Sequence, residues 1–457
     1  MKRVQFCYKI APLAVALALG GHAGSAVASG FALIEQSASG LGNAYAGGAA
    51  ATDDASVQFY NPAALTEIKG TQASAAGHFI IPSGKISNAS ARVVTLGNVP
   101  YTGTTDDAGV NGLVPNLYYT RDLSSQLKFG FAINVPFGLS TEYDEGWIGR
   151  YHAIKSAVET INLNPALAFK LNDQLSLGAG VSVQYISAEL TSAIDSGSVC
   201  YALAGPGAAV VCNPSGLTPG NQPVDSYAKI EGNDWGYGFN LGLLYKPMDA
   251  MRVGVAYRSS VKQRLEGDAI FTRSAAFNTF LGASTQFTNS AVTAGIDLPA
   301  SLSLSMVHVV SPQIELMGDI SWTQWSKFQE LRIDYANPVQ ADSVTTENWK
   351  DTMRYALGLS YTLNDRMKLR TGVAFDEAPV PDAQHRTPRI PDNDRTWIAL
   401  GMTYTSSDRL SFDAGYAHLF IKDSTINNTT EASIAHNLRG EYANKVDILS
   451  AQLNYKF

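Results

Sequence analysis

Apolar and polar residues alternate along most of the chain, down to its last residue. In the final segment, DILSAQLNYKF, the residues Leu449, Leu453, Tyr455 and Phe457 share one parity, and polar residues occupy the other. A period of two is typical of a β-strand with one apolar and one polar face. The pattern therefore predicts that this strand lies against an apolar surface along its whole length.

The same alternation returns in segments joined by connections of two lengths. Six short polar turns lie near residues 121–126, 171–174, 247–250, 311–313, 364–366 and 406–409. Seven longer segments lie near residues 82–112, 138–156, 191–230, 269–290, 336–348, 379–392 and 422–442. Even strand numbers with short turns on one side are typical of outer-membrane barrels, since only a closed barrel pairs every backbone group of a sheet in hydrocarbon. We therefore predict an all-β transmembrane fold, a 14-stranded antiparallel β-barrel over residues 71–457.

The start of the chain has the order of a secretory signal peptide. Lys2, Arg3 and Lys9 precede the apolar stretch IAPLAVALALGG, and AVA follows it, which predicts cleavage after Ala28 and a signal peptide over residues 1–28. Three of the 33 Lys and Arg residues leave with this segment, so the mature chain has 30 basic against 40 acidic residues, a net charge of −10. This charge argues against a nucleic-acid partner. Export and a barrel together predict the outer membrane of a Gram-negative bacterium.

The cysteines agree with an exported protein. Cys7 leaves with the signal peptide, and Cys200 and Cys212 bracket a segment rich in Gly, Pro and Ala. In an oxidising compartment this pair is expected to form a disulfide that clamps a loop, with two free thiols as the alternative. No metal site is expected, because no His or second Cys pair lies nearby.

Residues 29–70 do not alternate. They are rich in small residues, with weak helical spacing in two short pieces near 33–46 and 61–67. The segment is too polar to span lipid, and a barrel of fourteen strands has a lumen wider than side chains alone can fill. We therefore predict an N-terminal hatch with short helices that plugs the barrel.

Five segments carry motifs of a known family. The first is GLGNAYAGGAAATDDASVQFYNPAAL, with an Asn-Pro-Ala motif at Asn61, Pro62 and Ala63. The others are EGNDWGYGFNLGLLY, SWTQWSKFQEL, RTGVAFDEAPVP and IPDNDRTWIALGMTY, at 231–245, 321–331, 370–381 and 390–404. In this order they resemble the FadL-type long-chain fatty-acid transporters of the outer membrane, and the resemblance covers essentially the whole mature chain.

The resemblance implies a passive transporter rather than an enzyme. Members of the family catch a hydrophobic ligand on outer loops, pass it to a tighter pocket against the hatch, and release it sideways into lipid through a gap at a kinked third strand. No cofactor, metal or ion gradient is implied. The expected partners are the ligand, outer-membrane lipid and the barrel-assembly machinery, which reads a C-terminal aromatic residue; the protein is expected to be a monomer.

The third strand contains the residues that match the family's lateral opening. In QLKFGFAINVPFGL, Pro136 lacks a ladder donor and Gly138 weakens the strand beyond it. The alternative is a proline at an ordinary strand end. Asn61, Pro62 and Ala63 are expected to hold the hatch near this opening. The same residues also have the pattern of an ordinary helix start, with Asn as the cap and Pro in the first turn.

The loops at 191–230 and 269–290 match the family's capture groove. In the second loop Phe277, Phe280 and Leu281 have the spacing of one helical face, and Phe271 lies nearby. Exposed apolar residues on an outer loop indicate a binding surface. The alternative is a loop helix that packs on the rim of its own barrel.

The residues that would meet a ligand carboxylate depart from the family. The matching part of the fifth strand, YISAELTSAI, has no Arg or Lys. Lys350 and Arg354 in the tenth strand have lumen parity and are the candidates, with ordinary lumen charges as the alternative. The cargo is therefore predicted to be a long-chain fatty acid, and other hydrophobic compounds such as aromatic hydrocarbons stay open.

Two other classes of function were weighed against this interpretation. An outer-membrane lipid hydrolase would need converging Ser, His and acidic residues, but the chain has seven His, one of them in the signal peptide, and no G-x-S-x-G motif. A general porin would need an open polar lumen, which the predicted hatch opposes.

Overall fold

The computed structural model of the protein describes residues 30–457. The predicted signal peptide, residues 1–28, lies outside this range. Within it, strands predominate and the helices are short; no helix is long and apolar enough to cross a membrane.

The strands follow one another from Gln72 to Lys456. Their bounds are β1 Gln72–Val93, β2 Val99–Tyr101, β3 Gly112–Asp122, β4 Leu127–Asn134, β5 Gly138–Glu142, β6 Lys155–Lys170, β7 Leu175–Ile194, β8 Ser226–Met248, β9 Met251–Arg258, β10 Val261–Thr272, β11 Ser290–Leu298, β12 Ser301–Ser311, β13 Ile314–Thr323, β14 Glu330–Tyr335, β15 Ser343–Thr346, β16 Thr352–Asn364, β17 Met367–Asp376, β18 Arg395–Ser407, β19 Leu410–Ile421, β20 Ser424–Thr429 and β21 His436–Lys456.

These segments form fourteen barrel strands, which confirms the predicted fold class. The third, seventh, eighth and ninth barrel strands are each interrupted and consist of β4 with β5, β9 with β10, β11 with β12, and β13 with β14. The short strands β2, β15 and β20 extend hairpins in the long loops. All neighbouring strands pair antiparallel, and β1 pairs with β21 from Gln72–Lys456 to Val93–His436, which closes the barrel.

The helices lie in the segment before the barrel and in two of the long loops. The α-helices are α1 Ala38–Leu41, α2 Val57–Tyr60, α3 Ser196–Ala204, α4 Ala208–Cys212 and α5 Ala275–Leu281. The 3₁₀ turns are Gly48–Ala50, Pro62–Glu67, Gly205–Gly207, Asn213–Ser215, Gln222–Val224 and Trp325–Lys327.

The outer surface of the barrel is apolar, as the alternation predicts. Leu357, Leu400, Leu449 and Phe457 are 67, 57, 50 and 61% exposed. In a soluble protein such a surface would be costly, but here hydrocarbon covers it. The chain therefore places its apolar parity toward lipid and its small and polar parity toward the lumen.

Residues 30–68 lie inside the barrel. The helix α1 contacts β18, β19 and β21, and the turn Pro62–Glu67 contacts β4, β6, β7 and β8. Leu41, Ala50 and Leu65 are fully buried in one core cluster with lumen-facing residues of the wall. The described part of the predicted hatch thus fills the cross-section of the lumen.

Glycines in the wall allow the hatch to approach this closely. Gly178 and Gly242 face each other across β7 and β8. A Cβ at Gly242 would lie 1.9 Å from the Oδ1 of Asn61, and one at Gly178 would lie 2.3 Å from the backbone N of Ala63. Other lumen glycines packed against hatch atoms are Gly130, Gly254, Gly358, Gly372, Gly401 and Gly415. A lumen lined by larger side chains would exclude this hatch.

A valine at Gly242 is expected to displace the hatch and open the barrel to ions, because its Cβ would overlap Asn61 and lie 2.9 Å from Pro62 Cδ. Planar-bilayer recording should show a conductance several-fold above the parent. The matched control is Gly295→Val, where nothing lies within 4 Å of an added Cβ. An ion-tight Gly242→Val barrel would contradict the close-packing argument.

Candidate functional site

Two outer loops pack together at the mouth of the barrel. The sulfur atoms of Cys200 and Cys212 are bonded, which links α3 to α4. Phe277 of α5 is fully buried against this linked pair and Val199. The two loops therefore form one apolar unit whose centre is the Phe277 ring.

The four residues predicted for the capture groove are divided by this packing. Phe280 and Leu281 lie partly buried at the edge of the unit, but Phe277 is its core and has no exposed surface. Phe271 belongs to a separate cluster and packs on Tyr335 with a centroid distance of 6.1 Å. Helical spacing identified the apolar face of α5 correctly, but most of that face is used for packing within the loops.

A different set of residues provides the exposed apolar surface of these loops. Leu203, Val210 and Val211 are 57, 81 and 52% exposed, on or next to α3 and α4. They lie within the stretch YALAGPGAAVV, whose apolar content was visible in the sequence. The surface that faces outward is therefore carried by the disulfide-linked helices rather than by α5.

An apolar pocket lies below the loops, on the extracellular side of the hatch. Its wall comes from the third to the ninth barrel strands. Representative lining residues are Leu139, Val158, Ile186, Leu265, Phe328 and Ile333. A pocket of this character suits a hydrophobic ligand.

Two charged residues from different loops, Arg389 and Glu347, line this pocket. The Arg389 Nη1 donates to the Ser156 Oγ at 2.8 Å and to the Lys155 carbonyl at 3.2 Å. Burial raises the pKa of the Glu347 carboxyl to about 8, although the Trp349 indole N–H and Arg389 both lower it. Burial lowers the pKa of Arg389 to about 10. At neutral pH the guanidinium is thus charged while most of the Glu347 carboxyl is neutral.

A box of aromatic rings around Phe31 forms the floor of this pocket. The Phe31 ring lies 4.8 Å from Trp325, 5.9 Å from both Phe328 and Trp349, and 6.0 Å from Phe137. Phe31 and Phe328 line the apolar pocket, whereas Phe137 and Trp325 line a second cavity on the hatch side. Phe31 therefore separates two compartments of the lumen.

The second compartment, the inner cavity, is more polar. Arg258, Arg354, Asp319 and Asp376 line it, together with hatch residues. Arg354 therefore faces the lumen, as its parity predicts. Lys350 does not: it is exposed and lines neither compartment, because regular strand geometry in β16 begins only at Thr352. The parity argument cannot apply to a residue that precedes the strand.

The third barrel strand is interrupted between Asn134 and Gly138, and the inner cavity reaches this break at Pro136 and Phe137. Its ladder with β3 stops at Leu117–Ile133 and is followed only by a single bridge between Gly109 and Thr141. On the other side, pairing with β6 resumes at Gly138–Glu159. At this break the third barrel strand therefore lacks a regular hydrogen-bonded ladder on its β3 side only.

The N-terminal segment covers this break from inside the lumen. The Leu33 N–H donates to the Pro136 carbonyl at 2.8 Å, and the Gly138 N–H donates to the Phe31 carbonyl at 2.9 Å. A Cβ at Gly138 would lie 2.9 Å from Leu33 Cδ1, so the strand and the segment are in direct contact here. The segment acts as a short extra strand that patches the wall.

The Asn-Pro-Ala motif begins the hatch turn Pro62–Glu67. The Asn61 Oδ1 accepts from the Ala63 N–H at 2.9 Å, which is the helix-start geometry. Its Nδ2 donates to the carbonyls of Ala49 and Leu243. The motif thus ties the hatch to itself and to the sixth barrel strand, where the glycine pair of β7 and β8 leaves room, and Pro62 lines the same inner cavity as Pro136 and Phe137 at the break.

Sequence reasoning missed Arg389, Glu347 and the aromatic box. Arg389 stands in a loop between Pro388 and Pro391, where no periodicity assigns a side chain to the lumen. The aromatic box joins the segment before the barrel to three distant loops and strands. The sequence signal that could have drawn attention to it is the density of Trp and Phe in SWTQWSKF.

The arrangement is that of a transporter. Among residues 30–457 no group of three or more His, Cys, Asp or Glu side chains is placed to hold a metal ion. A closed barrel with a lipid-facing surface, a hatch and an apolar compartment defines an outer-membrane channel for hydrophobic compounds. The chain belongs to the outer membrane protein transport protein family (OMPP1/FadL/TodX), whose sequence profile matches residues 21–457. This family consists of transporters and channels of the Gram-negative outer membrane.

Individual relatives agree with this assignment. The long-chain fatty acid transport protein of Shigella flexneri is 33% identical over 430 residues, which cover 91% of this chain and 92% of the relative. The crystal structure of a Pseudomonas aeruginosa FadL homologue has a TM-score of 0.83 at 25% identity, over 94% of this chain and all of that one. The Pseudomonas putida toluene transporter TodX has the same fold, with a TM-score of 0.68 at 16% identity over 93 and 99% of the two chains.

Proposed function

We propose that this protein carries long-chain fatty acids across the outer membrane by passive diffusion. The observation that carries the proposal is the apolar pocket with one guanidinium, that of Arg389, in its wall. Its relatives named as long-chain fatty acid transport proteins support the same cargo. An acyl chain fits the apolar wall, and a carboxylate fits the arginine.

Capture begins on the disulfide-linked loops. Leu203, Val210 and Val211 give the ligand an apolar surface above the pocket, with Phe280 and Leu281 at its edge. Each methylene removed from water contributes about 0.8 kcal/mol, so even a shallow surface retains a long chain briefly. The ligand then enters the pocket, whose wall is mostly apolar.

Release occurs sideways into lipid. The inner cavity extends from the Phe31 box to Pro136 and Phe137 at the break in the third strand. The N-terminal segment covers this break with hydrogen bonds from Leu33 and to Phe31, and its displacement would open both the floor of the pocket and the wall. A lateral route keeps the acyl chain away from water, and diffusion down a gradient requires no energy source.

A neutral hydrocarbon is the second candidate cargo. Apart from Arg389, Glu347, Glu231 and Ser156, the pocket is lined by apolar side chains and glycines, which would accept an aromatic ring as readily as an acyl chain. Proteins of the same fold include toluene transporters. The charge of Arg389 favours the fatty acid, because a neutral cargo would leave this charge without an anionic partner at the pocket.

Arg389→Met should weaken oleate binding about 10- to 100-fold, because a hydrogen bond to a charged group contributes about 1.5–3 kcal/mol. Oleyl alcohol should bind to the variant and the parent alike. Displacement of a fluorescent fatty acid from the purified proteins measures both affinities. The matched control is Arg386→Met, since Arg386 holds the same loop through the carbonyls of Asp392 and Thr425 and lies outside the pocket. Oleate binding that is unaffected by Arg389→Met would refute the fatty-acid assignment of this pocket.

Ligand affinity should fall as the pH rises through the pKa of Glu347, about 8. Below this pH the Glu347 carboxyl is neutral and does not compete with the ligand for the positive charge of Arg389. Above it, Glu347 becomes an anion that repels the headgroup. A long-chain alkyl sulfonate, which stays charged throughout, should bind several-fold more weakly at pH 9 than at pH 7. Arg389, with a pKa of about 10, remains largely charged over this range. Glu347→Gln should remove the pH dependence; a profile identical to the parent's would contradict this role.

A disulfide between the N-terminal segment and the break should block transport. Ala32 and Phe137 form an isolated antiparallel bridge, flanked by the hydrogen bonds of Leu33 and Gly138, so their Cβ atoms are close. Oxidised Ala32→Cys/Phe137→Cys protein should take up labelled oleate at least several-fold more slowly than the same protein after reduction.

Two controls accompany this experiment. Oleate uptake by the single variant Phe137→Cys measures the effect of losing the Phe137 ring. Uptake by the parent protein with reductant measures the effect of breaking the Cys200–Cys212 bond. Equal uptake by the oxidised and reduced double variant would mean that the segment need not leave the break.

A further inference from the structure

The eighth and ninth barrel strands separate from each other over part of their length. Their lower ladder ends where Ser301 pairs with Thr323, and the upper one begins only where Ala294 pairs with Ile333. On its other side the eighth strand keeps its ladders with the seventh strand. The interval between Ala294 and Ser301 is therefore a second gap in the hydrogen bonding of the wall, which we call the side gap.

The ninth strand turns inward at the side gap. Its residues 324–332 form a longer segment than the facing residues 295–300, and they include a 3₁₀ turn that begins at Trp325. Trp325 and Phe328 are buried against the Phe31 ring, and the Phe328 carbonyl accepts a hydrogen bond from the loop that precedes the tenth strand. The aromatic box thus holds the ninth strand away from the eighth.

Little backbone bonding crosses the side gap. Within the described chain, one backbone hydrogen bond joins its two edges, from the Gln324 N–H to the Ala300 carbonyl at 2.9 Å, and it lies at the lower end. The break in the third strand differs, because the N-terminal segment is hydrogen-bonded to both of its sides. The two openings also differ in what they meet, since the break adjoins the inner cavity and the side gap adjoins the apolar pocket.

Side chains close the two ends of the side gap unequally. At the lower end, Leu298 and Trp325 are both fully buried. At the upper end, Ile296 and Leu331 are only partly buried, and both line the apolar pocket. Gly295 beside them is exposed, and a Cβ added to it would meet nothing within 4 Å. At this end the side chains of Ile296 and Leu331 therefore stand between the pocket and the outer surface.

The side gap lies at the upper edge of the lipid-facing band. Directly below it, Leu302 is exposed on the outer surface and pairs in register with Trp322. Beside the gap, Asp297 lies on the eighth strand, and Glu330 and Arg332 form an exposed ion pair on the ninth. A tryptophan below charged residues is typical of the boundary between hydrocarbon and headgroups. At this level water and headgroups supply partners for backbone groups that a ladder leaves free, which makes the gap tolerable.

We propose that the side gap is a second entrance to the apolar pocket, through which the acyl chain of a single-chain amphiphile at the membrane surface passes between Ile296 and Leu331. The polar head of the amphiphile stays at the charged outer edge until the chain is inside. This rests on the proposed function, since it takes the apolar pocket as the cargo site.

The physical reason for such an entrance is the partition of the cargo. Each methylene favours an apolar environment over water by about 0.8 kcal/mol, so a long acyl chain that reaches the cell resides mainly in the membrane surface rather than in water. The capture surface on the loops receives cargo from water. An entrance at the level of the headgroups receives cargo from the membrane and does not return the chain to water.

A thiol-specific label at position 295 tests this entrance. Cys200 and Cys212 are bonded to each other, so Gly295→Cys supplies the thiol, and the open space around Gly295 accepts the new side chain. N-benzylmaleimide attached there should slow the uptake of labelled oleate by cells at least several-fold, because the benzyl ring would lie over the upper end of the side gap. The affinity of the purified protein for oleate, measured by displacement of a fluorescent fatty acid, should stay the same, since Gly295 does not line the pocket.

The matched control is Ala291→Cys with the same label. Ala291 is exposed on the same face of the same strand and lies closer to the loops, but the wall is complete there: its carbonyl accepts from the Ala336 N–H at 2.9 Å, and Val292 next to it pairs with Tyr335. Labelled Ala291→Cys should take up oleate as fast as the unlabelled variant. Parent cells treated with the maleimide report its effect on other proteins.

The outcomes separate this proposal from the one on which it rests. Unchanged uptake by labelled Gly295→Cys, an equal loss at both labelled positions, or a loss of oleate affinity as large as the loss of uptake would each overturn the second entrance. If oleate displaced the fluorescent fatty acid from none of the purified proteins, the proposed function would be wrong. A loss of uptake confined to labelled Gly295→Cys would in that case still support an entrance at the side gap.

Discussion

Everything in this structure depends on the requirement that backbone polar groups be paired within hydrocarbon. The barrel meets it by closing β1 on β21, but the ladder between the second and third barrel strands stops at the interruption between Asn134 and Gly138. There the pairing comes from elsewhere. Leu33 and Phe31 of the N-terminal segment bond to Pro136 and Gly138, and the Phe137 N–H donates to the Thr160 Oγ1 at 3.0 Å. Backbone groups at this break in the wall are therefore paired with a segment that is not itself part of the wall.

Because the N-terminal segment supplies these hydrogen bonds, it connects the plug to the break in the wall. The same residues that complete the wall at the break also carry Phe31 into the aromatic box between the two compartments. Displacing them would leave backbone groups at the break unpaired, and the cost of this opposes opening of the wall there. The rest of the hatch is held by Asn61 and by the lumen glycines, so the N-terminal segment could move while the plug stays in place.

Periodicity predicted the fold well because a membrane barrel is a regular object. The alternation of Leu449 to Phe457, and the difference between turns and loops, depend only on which residues face lipid. The site was predicted less completely, since its residues lie where regularity ends. Lys350 precedes its strand, Arg389 stands in a loop, and Phe277 belongs to a helix whose apolar face could equally pack or bind. Whether such a residue lines a pocket depends on which distant segment covers it, and a local sequence pattern does not contain this information.

The charged groups of the lumen show how anchoring and binding are kept apart. At the periplasmic end, Arg370 contacts both Asp53 and Asp413, and Lys368 lies 3.2 Å from Asp53, so these charges are neutralised within the protein and fasten the hatch. Arg389, Arg258 and Arg354 differ: each donates to a neutral oxygen, and each lines a compartment. A paired arginine gains little from an anionic ligand, because its field is already compensated, whereas an unpaired one in a low-dielectric lumen attracts any carboxylate that enters. Binding groups along a passive route lower the free energy of the ligand at each site without giving it a direction, so the concentration gradient of the ligand sets the direction of net travel.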